Sequence, residues 1–332
     1  MAPLPVSSPT TCVIPSTCVI PSTCVIPSNC VIPSNCVIPA QAGINRGTGA
    51  DPDPGLRRDD TERDARMTAS LRRIWGLMYR HIALYRRSWP RLLELAYWPV
   101  LNMCIWGFTA SFLTGRLGST ALVAGAALMG GVLLWEVTLR GQMGMAISFL
   151  EEIWSRNLGH IFVSPLRPWE LVTALICMSI LRMLAGVVPA VLLAWGLYAF
   201  NLFTLGPVLI LFVINMIAMG WWVALGVISL ILRHGAGAEP LAWGVLFGLA
   251  PFAAVFYPVS VLPSFLQPVA LALPAAHVFE GMRGILLDGV VSHGHLAAAT
   301  GLNFVWLGLA SLLFAYQFHQ ARVRGALLTI GE

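Results

Sequence analysis

Apolar runs of about twenty residues and more recur along most of this chain, and they decide what it can fold into. Residues 171–200 are apolar throughout except for Arg182. About 20 helical residues cross a hydrocarbon core of about 30 Å. Five further runs, near 92–113, 120–139, 205–232, 241–262 and 296–318, have that length. The whole chain is 57% hydrophobic and 11% charged, against about 25% charged in a soluble domain. The expected fold is an all-α polytopic membrane protein with six transmembrane helices.

Every basic residue is arginine; the sequence holds no lysine. A Walker A phosphate loop needs a lysine to reach the phosphates, so this chain carries none. If ATP drives its activity, another polypeptide hydrolyses it. Arginine also sets orientation. With six spans and the amino end inside, twelve arginines fall in inner segments, while Arg116 and Arg283 fall in outer loops. This bias puts both termini, and the segment 149–170, in the cytoplasm.

That segment, FLEEIWSRNLGHIFVSPLRPWE, carries Glu151, Glu152, Arg156, Arg167 and Glu170. Glu152 and Arg156 stand four apart, neighbours on one helical face. Ile153, Trp154, Leu158 and Ile161 fall on the other. A short amphipathic helix at the membrane surface, stopped near Pro165 and Pro168, is expected. It either rests on lipid headgroups or docks a soluble partner.

Ahead of the first span, residues 71–91 alternate arginines with Ile74, Trp75, Met78, Ile82 and Leu84, the pattern of an interfacial amphipathic helix or of a positive flank. Glu136 and Arg140 stand four apart at the end of the second run, which is rich in Gly and Ala and so suits close helix approach. That pair reads as an interface marker rather than a proton path. Arg182 snorkels if its span covers 183–200 and is buried if the span starts earlier; the length of the run favours snorkelling. Residues 263–287 hold two apolar pieces divided by Pro274, each too short to cross. A re-entrant or surface hairpin on the outer side is expected, with Glu280 and Arg283 three apart on its second piece.

The first 66 residues differ. Cys12, Cys18, Cys24, Cys30 and Cys36 recur every six residues in the unit CVIPS[TN]. Identical spacing argues against a disulfide framework, and a proline per unit against a solenoid. The segment lacks the charged n-region and unbroken apolar core of a signal peptide. A disordered segment, with native translation beginning at Met67, is the expectation; the membrane domain is then 67–332.

There is no Gly-x-Ser-x-Gly elbow and no His-Glu-x-x-His. His293-x-His295 lacks co-ligands nearby, and a metal site normally needs three or four. Cys104 and Cys177 read as packing residues. The twelve tryptophans all follow Met67 and read mostly as interfacial anchors. Trp221 and Trp222 lining a path is the less favoured reading.

Taken together, the amphipathic leading helix, the EEIWSRNLGHIFVSPLRPWE segment after two spans, and the stretch YPVSVLPSFLQPVALALPAAHVFEGMRGILLDG before the last span resemble the permease subunit of ABC type-2 exporters. The resemblance covers about 67–332 and does not account for 1–66. It implies a homodimer in a bacterial cytoplasmic membrane, paired with two copies of an ABC ATPase subunit that binds ATP and Mg; this chain would bind no cofactor and no nucleic acid. It implies that Glu151, Glu152, Trp154, Arg156, Asn157 and Gly159 form the coupling helix, and that substrate leaves through the dimer interface near the hairpin of Pro274, Glu280 and Arg283. The cargo would be a polysaccharide, a lipid-linked molecule or a hydrophobic one. Two other classes stay open on residues alone: a channel or ion-coupled carrier, and a polytopic membrane enzyme.

Overall fold

The computed structural model describes residues 54–117, 119–155, 157, 166–198, 200 and 202–323. The CVIPS repeats, Arg156 and Gly159 lie outside these residues. The chain divides into two units, 1–62 and 63–332, and the fold below is that of the second. Among the described residues all regular structure is helical.

Helix α1 covers Pro54–Arg87, and Ser88 separates it from α2, Trp89–Leu117. Helix α3 is Ser119–Trp154, α4 is Pro168–Tyr198 and α5 is Val208–His234. Then come the short α6, Pro240–Leu249, the single-turn α7, Gln267–Leu271, and α8, Pro274–Asp288. Helix α9, His293–Val323, closes the fold. By length and composition α4, α5 and α9 can each cross a membrane.

Helix α3 is the axis of the bundle. It packs against α2, α4 and α5 along its length and also touches α6 and α8. Glycines allow this closeness. A Cβ on Gly144 of α3 would stand 2.9 Å from the Ser179 Cα of α4, and one on Gly220 of α5 would stand 2.8 Å from the Thr138 carbonyl oxygen of α3. Backbones this near one another gain dispersion contact that lipid-solvated helices cannot obtain from the hydrophobic effect. Polar side chains add ties. Thr138 Oγ1 donates to the Met216 carbonyl at 2.9 Å. Asn303 of α9 donates to Asn215 of α5 at 2.9 Å and accepts from Trp222 Nε1 at 3.2 Å. Trp222 also stacks on Trp306, and Trp221 donates to Ser179 Oγ. Both tryptophans therefore serve helix packing.

The outer face is apolar: Phe304 is 74% and Leu312 71% exposed on α9. In water such a stripe would be costly; against acyl chains it is the expected surface.

Three features differ from the sequence expectation. Residues 149–154 are not the start of a separate amphipathic helix; they are the last turns of α3, which runs unbroken from Ser119. The run 241–262 is not one helix. α6 ends at Leu249, and turns leading to a 3-10 turn at Val259–Val261 replace the rest. Pro251 and Pro258 have no N–H to continue a helix, and Ala254 sits at φ 55°. Ten helical residues span only about 15 Å. Arg182 does not snorkel. Helix α4 begins at Pro168, and Arg182 is 4% exposed inside the bundle.

Candidate functional site

Two groups of charged residues stand out. The first lies where α1 meets the end of α3 and the start of α4. Arg73 and Arg80, seven apart, and His81 and Tyr85, four apart, lie along adjoining rows of α1. Arg73 forms a two-pronged contact with Glu170, Nη2 at 2.6 Å and Nε at 2.9 Å. Arg80 reaches Glu152 at 2.6 Å. Each ring nitrogen of His81 faces a carboxylate, Glu151 on one side and Glu152 on the other, at 3.3 Å. Arg182 of α4 donates to Glu151 at 2.8 Å and lies over the Tyr85 ring at 4.6 Å.

These partners change the reading of the island. Glu152 is 1% exposed and its cation is Arg80, seventy-two residues earlier in the chain. Asn157 donates to the same carboxylate at 2.8 Å. Trp154, by contrast, is half exposed. Hydrogen bonding to Glu170 raises the Arg73 guanidinium above its ordinary value. Burial pushes the Tyr85 hydroxyl up to about 12, despite the opposing pull of Arg182. Periodicity could reveal His81 and Tyr85 as neighbours on a helix, but their distant partners had no local signal.

Glu136 and Arg140 do pair, at 3.2 Å, and Asn102 of α2 donates to Glu136 at 2.7 Å. Glu136 is 1% exposed within the bundle. These residues, with Glu151 and Arg182, line a cavity of about 610 Å³ between α2, α3 and α6.

The second group is at the other stretch singled out above. Pro274 is the first residue of α8, which suits a ring lacking an N–H. Glu280 and Arg283 pair at 3.3 Å. They also serve the broken backbone after α6. Glu280 accepts from the Val259 N–H at 2.7 Å, and Arg283 donates to the carbonyls of Ala254 and Val255. Non-helical backbone at depth needs such partners. Helix α8 stops at Gly289, whose φ of 67° favours a residue with no Cβ, and its N–H caps Gly284 and Ile285.

His295 does not group with His293. Its Nδ1 lies 3.1 Å from Nδ1 of His277 on α8. His277 Nε2 donates to the Leu271 carbonyl at 2.9 Å, so His277 Nδ1 accepts and His295 donates. Burial lowers the pKa of His277, aided by His295 and opposed by the Leu271 carbonyl and Glu280. A depressed histidine stabilises the fold above its unfolded value of about 6.5, and that stabilisation falls away as pH drops through it. Hydrogen exchange across 271–296, corrected for intrinsic rate, should be slower at pH 7.5 than at pH 5.5. The difference should vanish in His277→Gln; equal protection at both pH values in the unaltered chain would refute this.

A fold that is helical throughout its described residues, with several apolar helices of spanning length, polar ties between them and an apolar outer face, is that of an integral membrane protein. A family model described as ABC-2 type transporter matches residues 72–287, and the chain belongs to that family. It is an ABC-type transmembrane permease subunit, not itself the catalytic one. No curated protein matches this chain.

Proposed function

We propose that this chain is the permease of an ATP-driven exporter, moving a polysaccharide, lipid-linked or hydrophobic substrate outward across a bacterial cytoplasmic membrane. Two copies pair with two ATPase subunits, which hold ATP and Mg. Helices α2 and α3, the α6 region with its following turns, and α4, α5 and α9 make six crossings, with both termini in the cytoplasm. The observation that carries this reading is the ion-paired union of α1 with the ends of α3 and α4. It joins the arginine-rich leading helix and the segment leaving Trp154 into one body. A push on that segment would reach α1 through Arg80–Glu152 and α4 through Glu151–Arg182.

The docking surface is then Trp154 with the residues that follow it, including Arg156, Asn157 and Gly159. Glu151 and Glu152 support it from within. Reversing Glu152 would therefore disturb the α1 contact, whereas Arg156→Glu addresses docking. Tagged protein isolated in mild detergent should bring down a stoichiometric subunit bearing GxxxxGK[ST], with ATPase activity. Arg156→Glu should reduce that recovery several-fold. A folded chain that elutes alone would overturn the proposal.

A further inference from the structure

The cavity between α2, α3 and α6 contains charges that the bundle engages only in part. Three arginines and three glutamates line it. Five of the six are paired: Arg140 with Glu136 at 3.2 Å, Arg182 with Glu151 at 2.8 Å and, more loosely, Arg91 with Glu151. Arg91 comes no nearer than 3.7 Å to Glu151, beyond hydrogen-bond range, and its side chain is 47% exposed. Glu94 has no hydrogen bond or ion pair among the described residues. Arg182, buried in the cavity wall, keeps its Nε–H without a hydrogen-bond partner. A buried donor in that state is one that a bound anion can compensate.

Arg91 and Glu94 stand three apart on α2, so their side chains rise from adjoining positions on one face. The rest of the lining is largely apolar and aromatic, with Leu95, Trp98, Trp243 and Phe247. Trp98 and Phe247 are 50% and 63% exposed, so the apolar wall reaches the outer surface. A simple anion would meet Glu94, and a simple cation would meet Arg91. An uncharged sugar would make no use of either charge. The complement of this lining is a molecule with an anionic and a cationic group close together, joined to an apolar tail.

We propose that the cavity binds a zwitterionic amphiphile whose headgroup carries a phosphate and a primary ammonium, as in phosphatidylethanolamine. Arg91 holds the phosphate, Glu94 accepts from the ammonium, and the tail lies along Trp98 and Phe247. About 610 Å³ holds the headgroup and the first part of the tail, within the common range for ligand pockets of about 300–1,000 Å³. Binding needs the folded chain alone, so this proposal stands apart from pairing with an ATPase.

The test is native mass spectrometry of the full chain in detergent, titrated with phosphatidylethanolamine, phosphatidylglycerol or phosphatidylcholine of matched tails. Phosphatidylethanolamine should bind at about tenfold lower concentration than phosphatidylglycerol, which has no ammonium, or phosphatidylcholine, which has no N–H; tenfold is what one charge-assisted hydrogen bond of about 1.5 kcal/mol provides. Glu94→Gln should bring it to the level of phosphatidylglycerol. Arg91→Gln should weaken all three lipids several-fold. Both side chains are exposed, so the melting temperatures of the variants should match the unaltered chain. Soluble phosphoethanolamine at equal concentration should not compete. Equal binding of the three lipids, a full preference surviving in Glu94→Gln, or competition by soluble phosphoethanolamine would each overturn the assignment.

Discussion

Arg182→Leu should destabilise the folded chain by about 3–5 kcal/mol, the range for removing one partner of a buried ion pair. The guanidinium is 4% exposed and donates to Glu151 at 2.8 Å. Leucine fills part of the volume but leaves the Glu151 carboxylate, itself 10% exposed, with His81 and the Tyr85 hydroxyl at 3.3 Å and Arg91 at 3.7 Å, and without the full guanidinium contact. The contact with the Tyr85 ring goes as well. Unfolding in a denaturing detergent series would measure the loss. The double variant with Glu151→Leu should be less damaged than the sum of the single changes, with a coupling of about 1–3 kcal/mol. A single-variant loss under about 1 kcal/mol, near that of an exposed ion pair, would show that this pair does not tie α3 to α4.

Gly220→Val should cost about 3 kcal/mol or more, at or above the upper end for overpacking. Its Cβ would come within 2.8 Å of the Thr138 carbonyl oxygen and 3.0 Å of the Gln142 N–H nitrogen. Both are backbone atoms, so no side-chain rotation relieves the clash, and α3 and α5 must part. Parting them also stretches the Thr138–Met216 bond. Gly226, in the same helix, has nothing within 4 Å of its missing Cβ. Gly226→Ala should therefore be neutral or stabilising by up to about 1 kcal/mol, the helix-propensity difference. Comparable damage at both positions would point to a general need for glycine rather than to this contact.

Much of the helix inventory was legible along the chain. Apolar runs as long as those of α4, α5 and α9 have no other stable backbone arrangement away from water. Pro274 marked the start of α8, and the three-residue spacing of Glu280 and Arg283 anticipated their pairing. The local reading failed where a residue had two options. Arg182 could reach the headgroups or find a partner, and only the packing of α4 beside α3 brought Glu151 to it. Arg80 lies seventy-two residues from Glu152, and no local spacing signals that they meet. The run 241–262 was apolar enough to span, but hydropathy does not register the N–H groups that its prolines lack.

What the sequence by itself determined is the solvent and the class: helices long enough for a bilayer, and no lysine for a phosphate loop. These follow from length, composition and period, which are local quantities. What only the tertiary structure decided is which charges meet. The union of α1 with α3 and α4, and the gathering of Arg91, Glu136, Glu151 and Arg182 around one cavity, join residues far apart in the chain. At ordinary dielectric values an ion pair forms only over a few ångströms, and separations that small are set by how the helices pack.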